Sequence, residues 1–217
     1  MLTKRLRHCR VELALHRLRE GGGRALLLLH GLGERAPARP PAQVEAWPGP
    51  IWALDFTGHG GSTLPRGGGY TCEALMGDAD AALAELGEAT LVGRGLGAWI
   101  ALLAAGARPR AVRGAILADG PGLAGGGPRP TSPMIPFVEA DAATPPDPFA
   151  LAELSRDVRP PEYACAFVRL ANERSGLARP FTVCAVERPE WLRAILDEPG
   201  VEGAALPAAL AAYAAAS

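Results

Sequence analysis

Residues 89–105 read ATLVGRGLGAWIALLAA, and this stretch decides the fold. It opens with a short apolar run at 89–92, as expected for a strand that is buried on both faces of a sheet. The glycine-rich residues 93–97 (GRGLG) predict a tight turn, and the apolar residues 98–105 then predict a buried helix. A strand, a turn and a helix in this order are typical of an α/β domain.

The residues before this stretch repeat the alternation of strands and helices. Alternating apolar and polar residues predict a strand at 11–18, and continuous apolar runs predict strands at 25–29 and 51–56. Thr71 and Gly87 are suited to cap the two ends of a helix that has an acidic residue in its first turn.

The residues after it continue the pattern. We expect strands at 112–118, 181–186 and 191–196, an irregular stretch at 121–148, and helices at 149–157, 161–174 and 206–216. Strands that alternate with helices indicate a doubly wound, mostly parallel sheet of the α/β class. No internal repeat or linker divides the chain, so we expect a single domain over residues 1–217.

Two further motifs stand upstream of GRGLG at 93–97. The strand at 25–29 ends in HGLG at 30–33, and the strand at 51–56 runs into DFTGHGGS at 55–62. In order and spacing the three motifs resemble those of the α/β-hydrolase family: the oxyanion loop, the D-x-x-G-x-G-x-S segment and the nucleophile elbow G-x-S-x-G. The resemblance implies an α/β-hydrolase fold with a short cap at 121–178.

Two catalytic groups of that family are missing. The family places Ser, or occasionally Cys or Asp, at the centre of the elbow, where this chain has Gly95. The family's histidine base follows the last strand, but the loop at 197–203 that the resemblance assigns to it contains no imidazole. All four histidines precede the elbow: His8, His16, His30 and His59. We therefore expect no catalytic residue of the family mechanism.

Other groups of the family site are present. The resemblance implies that His30 and His59 hold loop backbone, that Glu187 or Asp119 stands at an acid position, and that the backbone amides of Leu32 and Leu96 still form an anion site. Without a histidine to orient, either carboxylate is more simply interpreted as a loop residue. The expected ligand-binding residues are Gly31, Leu32, Arg94, Gly95 and Leu96.

Three functions stay open on this evidence. The first, which we expect, is a non-hydrolytic relative that binds a small acyl-like or apolar ligand. The second is an active hydrolase or lyase with rearranged catalytic residues, such as His30 or Asp119. The third is an interaction protein whose pocket is filled. A filled space above Gly95 favours the interaction protein, whereas an open one that holds a histidine and a carboxylate in contact favours an enzyme.

Composition narrows the possible partners. A net charge of −1 and a pI of about 6.4 predict no nucleic-acid binding, and the basic residues at 4–10 are expected to be solvated. No apolar run reaches the roughly 18–20 residues of a membrane span, so we expect no membrane insertion. The sequence gives no indication of oligomeric state.

The cysteines and histidines predict no bound group. The four cysteines form no CxxC pair, so we expect reduced thiols and a cytoplasmic protein: Cys9, Cys72, Cys165 and Cys184. The chain has no metal-ligand spacing and no dinucleotide fingerprint, so we expect neither metal nor cofactor. Lys4 is the only lysine among many Arg, Ala, Gly and Pro residues, which suggests a high-GC bacterial coding sequence.

Overall fold

The computed structural model describes residues 2–126 and 144–216. Within these residues the strands form one sheet of eight. They are β1 (Leu2–His8), β2 (Val11–Arg19), β3 (Ala25–Leu29), β4 (Ile51–Asp55), β5 (Ala89–Arg94), β6 (Val112–Ala118), β7 (Phe181–Val183) and β8 (Val201–Gly203). Their order across the sheet is β1-β2-β4-β3-β5-β6-β7-β8.

The sheet is mostly parallel, as predicted. Only the pairs β1–β2 and β2–β4 are antiparallel among the described strands; every pair from β4 across to β8 is parallel. The chain winds outward in one direction from β3 to β4 and in the other from β5 to β8. The carboxyl ends of β3 and β5 are therefore the topological switch point, where open α/β sheets bind their ligands.

Along the chain, the helices follow or connect the strands, and they cover the two faces of the sheet. They are α1 (Cys72–Leu86), α2 (Leu96–Ala107), α3 (Pro148–Arg156), α4 (Pro161–Arg174), α5 (Glu190–Leu196) and α6 (Leu206–Ala215), with a 3-10 turn at Ala42–Val44. As predicted, Thr71 caps α1: its Oγ1 accepts a hydrogen bond from the Ala74 amide at 3.1 Å, and Gly87 ends the helix.

The central strands are apolar throughout because both of their faces are covered. Leu27 and Leu91 face the layer that holds α1 and α2, whereas Leu28 and Val92 face α6 and the 3-10 turn. Every residue of α2 from Leu96 to Gly106 is buried, since α2 lies between the sheet and the helices α1 and α4. This packing fixes the start of α2, and with it the turn that precedes it.

The structure corrects three element predictions and adds one strand that was not predicted. Residues 191–196 form α5, not a strand: Trp191, Leu192 and Ile195 are buried together on one helical face. β7 ends at Val183 instead of 186, and β8 lies inside the stretch that was expected to be a loop at 197–203. β1 was not predicted, because its many basic residues hide the alternation of an edge strand.

The predicted irregular stretch and cap are described only in part, because residues 127–143 lie outside the described residues. α3 and α4 follow, and α4 packs against α2 and α5. The single domain and the cap at 121–178 stay predictions. Within the described ranges, the helices are all too short or too polar to cross a bilayer.

Candidate functional site: a closed elbow beside an open cleft

The turn between β5 and α2 has the geometry of a nucleophile elbow. Gly95 has φ 58° and ψ −121°, a conformation that residues with a Cβ rarely adopt. The Gly95 amide donates to the Ala118 carbonyl at 3.0 Å, and its carbonyl accepts from the Ala98 amide at 3.1 Å. The turn thus persists without any side chain at its centre.

Two backbone amides converge beside this turn on one oxygen. The amides of Leu32 and Leu96 donate to the carbonyl of Pro121 at 3.0 and 2.9 Å. These are the two amides that the resemblance assigns to the oxyanion site. In this protein they already bind an acceptor, which is the chain's own carbonyl, so an external anion would have to displace Pro121.

The segment that supplies this carbonyl also fills the space over position 95. A Cβ built on Gly95 would overlap the Pro121 carbonyl oxygen and would lie 2.5 Å from the carbonyl carbon of Gly120. Gly122 has φ +76°, and a Cβ there would lie 2.7 Å from the Cβ of Leu32. The close fit of residues 120–122 over the elbow therefore depends on glycine on both sides of Pro121.

His30 is committed to backbone through both ring nitrogens. Its Nδ1 contacts the Gly31 carbonyl at 2.8 Å, and its Nε2 accepts from the Phe56 amide at 3.1 Å. Burial, with a smaller effect of neighbouring His59, lowers the pKa of His30 to about 4, so the ring is neutral at pH 7. A ring with no free nitrogen has no lone pair with which to act as a general base.

His59 holds the same loops in the same way. Its Nδ1 contacts the Thr57 carbonyl at 3.1 Å, and its Nε2 accepts from the Gly33 amide at 3.2 Å. Burial lowers the pKa of this ring as well. Both histidines thus have the backbone-holding role that the resemblance implies for them.

The carboxylate of Asp55 explains the DFTGHGGS motif at 55–62. Its two oxygens accept from the amides of Gly61 at 2.8 Å and Ala36 at 2.6 Å, and Oδ2 lies 3.0 Å from His16 Nε2. One buried side chain therefore joins β2, the loop after β3 and the loop after β4. The motif stabilises the scaffold around the site and places no reactive group in it.

The two candidate acids lie close together but without a histidine partner. Asp119 follows β6, and its oxygens accept from the amides of Val186 and Glu187 at 2.7 and 2.9 Å. Glu187 is exposed in the loop after β7. Asp119 therefore holds this loop, and the Glu187 carboxylate contacts solvent.

The end of the sheet supplies no base either. The loop that follows the last strand is 204–205, not 197–203 as expected, because residues 201–203 form β8. Its two residues are alanines, and no histidine occurs anywhere after His59. Across residues 2–126 and 144–216, the side chains of His, Cys, Asp and Glu form no group of three or more suited to a metal ion.

An open cleft lies beside the closed elbow. It has a volume of about 760 Å³ and is bounded by the carboxyl ends of β3, β5 and β6. Its apolar lining includes Leu28, Val44, Val92 and Leu206, and its charged lining consists of Glu34, Arg35, Arg94 and Asp119. The cleft thus lies at the switch point of the sheet, on the face of α6.

The predicted ligand-binding residues divide between these two places. Arg94 lines the cleft, while Leu32, Gly95 and Leu96 contact the Pro121 segment. The Gly31 amide donates to Glu34 Oε2 at 2.9 Å. Sequence reasoning missed Pro121 and Arg35; the Gly-Pro-Gly order at 120–122 was the one available signal for the first.

Comparison with known proteins agrees with the fold. The model of the alpha/beta hydrolase family matches residues 26–216. No curated protein matches the chain. Among solved structures, a membrane phospholipase A described as a bacterial virulence factor has a TM-score of 0.52 at 16% identity, over 94% of this chain and 78% of that one.

Two other solved structures match over a smaller part. They are epoxide hydrolase A from Mycobacterium thermoresistibile (24% identity, TM-score 0.45, 54% of this chain and 38% of that one) and alpha/beta hydrolase domain-containing protein 10 from mouse (25%, 0.47, 54% and 49%). The matched parts span less than half the length of each of these two proteins. With a family model that matches almost the whole sequence, the chain belongs to the alpha/beta hydrolase family.

Proposed function

We propose that this protein is a non-hydrolytic member of its family that binds a small, largely apolar molecule in the cleft beside the elbow. The observation that carries the proposal is the Pro121 carbonyl, which accepts hydrogen bonds from both Leu32 and Leu96 over a glycine. The oxyanion that forms during acyl transfer needs those same two donors. A chain that uses them internally and has Gly95 as its nucleophile position is not arranged for ester hydrolysis.

The rearranged-enzyme alternative is less well supported. It requires a free base or acid near the elbow, and His30 and Asp119 were its candidates. Both ring nitrogens of His30 contact backbone, and both oxygens of Asp119 accept amide hydrogens. His30 has no free ring nitrogen for a substrate proton, which general acid–base catalysis needs, and Asp119 has no histidine partner.

The interaction-protein alternative has one observation in its favour. The space above Gly95 is filled, and a filled space is the feature expected of an interaction protein. The adjacent cleft nevertheless has a volume of about 760 Å³, within the size range of small-molecule sites. We therefore favour ligand binding, with the ligand displaced from the family's catalytic position to the cleft.

Ester hydrolysis tests the first half of the proposal. We expect wild type and His30→Ala to hydrolyse 4-nitrophenyl acetate and 4-nitrophenyl butyrate at the rate of buffer. Turnover well above buffer that disappears in His30→Ala would overturn the non-hydrolytic assignment.

Titration with 1-octanol, followed by amide NMR shifts, tests the second half. We expect shifts at cleft residues in wild type and their loss in Leu206→Trp, because an indole ring is larger than the leucine side chain and would occupy the cleft. A matched substitution outside the cleft, Leu2→Trp on the exposed edge of β1, should leave the shifts unchanged. Equal binding by Leu206→Trp would show that the molecule binds elsewhere.

We also propose that the protein works in the bacterial cytoplasm. Its four cysteines are free thiols, two of them buried. Burial raises the pKa of Cys184 to about 11, so this thiol is protonated and unreactive at neutral pH. Unpaired thiols fit a reducing compartment.

A further inference from the structure

The charged residues around the cleft are unequally engaged, and this inequality indicates the chemistry of its ligand. Two acids and two arginines line the cleft: Glu34, Asp119, Arg35 and Arg94. His30 also borders it but is neutral at pH 7, because burial holds its pKa near 4. The charge that a ligand meets therefore depends on which of the four charged groups already have partners.

Both acids have internal partners. Glu34 Oε2 accepts from the Gly31 amide at 2.9 Å and lies 3.2 Å from Arg94 Nε. Asp119 uses one oxygen for the Val186 amide and the other for the Glu187 amide. Glu34 therefore has its charge paired with Arg94, with Oε1 as its one oxygen that accepts no hydrogen bond from residues 2–126 and 144–216, while Asp119 keeps its negative charge but is held by two amides.

The arginines retain donors. Arg94 approaches Glu34 through Nε at 3.2 Å, and its guanidinium donates no hydrogen bond to the described residues. Arg35 is exposed and makes neither an ion pair nor a side-chain hydrogen bond with any residue in 2–126 or 144–216. The mouth of the cleft therefore offers guanidinium N–H donors that the described residues do not use, and Arg35 has a positive charge without an ion-pair partner among them.

The interior of the cleft is apolar. Leu28 and Val92 each retain 9% exposure, whereas their neighbours Leu27 and Leu91 are fully buried. The residual exposure falls on the sheet face that carries α6, where Val44 and Leu206 complete the lining. A ligand that enters here removes apolar surface from water, which favours a hydrocarbon body.

From these observations we infer that the cleft binds a carboxylate with an apolar body, its head group held by Arg35 and Arg94 and its chain against Leu28 and Val92. The inference rests on the proposed function, because it assigns a chemical class to the ligand of the same cleft. Guanidinium groups suit this role because their paired N–H groups match the two oxygens of a carboxylate.

The test compares octanoate with 1-octanol, which has the same chain without the charge. We expect wild type to bind octanoate at least tenfold more tightly, and Arg35→Gln to lose that preference while it keeps its affinity for 1-octanol. Arg39→Gln is the matched control, because Arg39 is exposed in the same loop but does not line the cleft.

Each failure has its own pattern. If octanoate and 1-octanol bind equally and Arg35→Gln changes neither, the carboxylate inference is wrong and the proposed function stands. If neither compound shifts the cleft resonances, the proposed function itself is wrong. An equal loss of octanoate affinity in Arg35→Gln and Arg39→Gln would reduce the effect to net charge and would also overturn the assignment of Arg35.

Discussion

Gly95 combines two constraints that act on a single residue. Its backbone conformation costs on the order of 1–3 kcal/mol for a residue with a Cβ. Serine nevertheless occupies this turn in the family, so strain alone does not explain the glycine. The second constraint does, because a Cβ would overlap the carbonyl of Pro121. Once residues 120–122 cover the elbow, only glycine fits beneath them.

We predict that Gly95→Ser lowers the free energy of unfolding by about 2–4 kcal/mol, through both strain and overlap. Gly176→Ser is the control, since Gly176 has φ +70° but nothing within 4 Å of a built Cβ. Thermal unfolding of the two variants separates the two causes. An equal loss in both would mean that Pro121 does not press on position 95, and no loss in Gly95→Ser would contradict a strained elbow.

Acid sensitivity is predicted at His30. Its pKa is lowered from 6.5 to about 4 in the folded state, so the unfolded chain binds the proton more tightly between these values. Stability is therefore full above pH 6.5 and falls as the pH decreases. We expect a loss of about 2 kcal/mol from this residue between pH 7 and pH 5.

Chemical denaturation at the two pH values measures that loss. His30→Asn, which cannot take up a proton, should show a correspondingly smaller difference between pH 7 and pH 5. A difference as large as that of wild type would assign the acid sensitivity to other groups, with His59 the first candidate because burial lowers its pKa too.

For single residues, the sequence shows which residue types are missing from a motif, but it does not show which groups are in contact. The glycine at 95 and the lack of a histidine after His59 can be read directly from the residues. The contact of Pro121 with Leu32 and Leu96 cannot, because it is formed by backbone groups, and the glycines beside Pro121 indicate a close approach without naming its partners. Arg35 was missed for a related reason: its importance depends on which neighbouring charges are already paired.

Among the elements, those with a strong local signal were predicted accurately. β3 and β6 have the predicted bounds, and α1 begins and ends at its predicted caps. The 191–196 segment failed because a run as short as WLRAIL fits a strand or a helix equally well by periodicity. The Pro189 that precedes α5 near its first turn was the signal that favours a helix.

The cap of α1 gives a prediction at this scale. Thr71→Ala removes the oxygen that accepts the Ala74 amide, and we expect it to lower the free energy of unfolding by about 1 kcal/mol. Thr71→Ser keeps that oxygen and should retain most of the stability. Urea denaturation of the pair checks this, and equal losses in both variants would assign the effect to the Thr71 methyl group instead.

At the scale of the whole molecule, the sheet of the family is present while the space over the elbow is filled. The parallel sheet still brings the loops after β3, β5 and β6 to one edge, as in any doubly wound fold. At that edge the chain closes one position with its own carbonyl and leaves the neighbouring cleft open. Local sequence patterns predicted the sheet. Which part of its carboxyl edge is filled and which part is open depends on long-range contacts, which those patterns do not show.

Residue-resolved hydrogen exchange of the Leu32 and Leu96 amides tests the central claim most directly. If the Pro121 carbonyl occupies the oxyanion position, both amides exchange as slowly as those of the core strands, such as Leu27 and Leu91, and much more slowly than an exposed turn amide such as Gly22. Exchange of Leu32 and Leu96 at the rate of Gly22 would show two free donors over the elbow and would contradict the account.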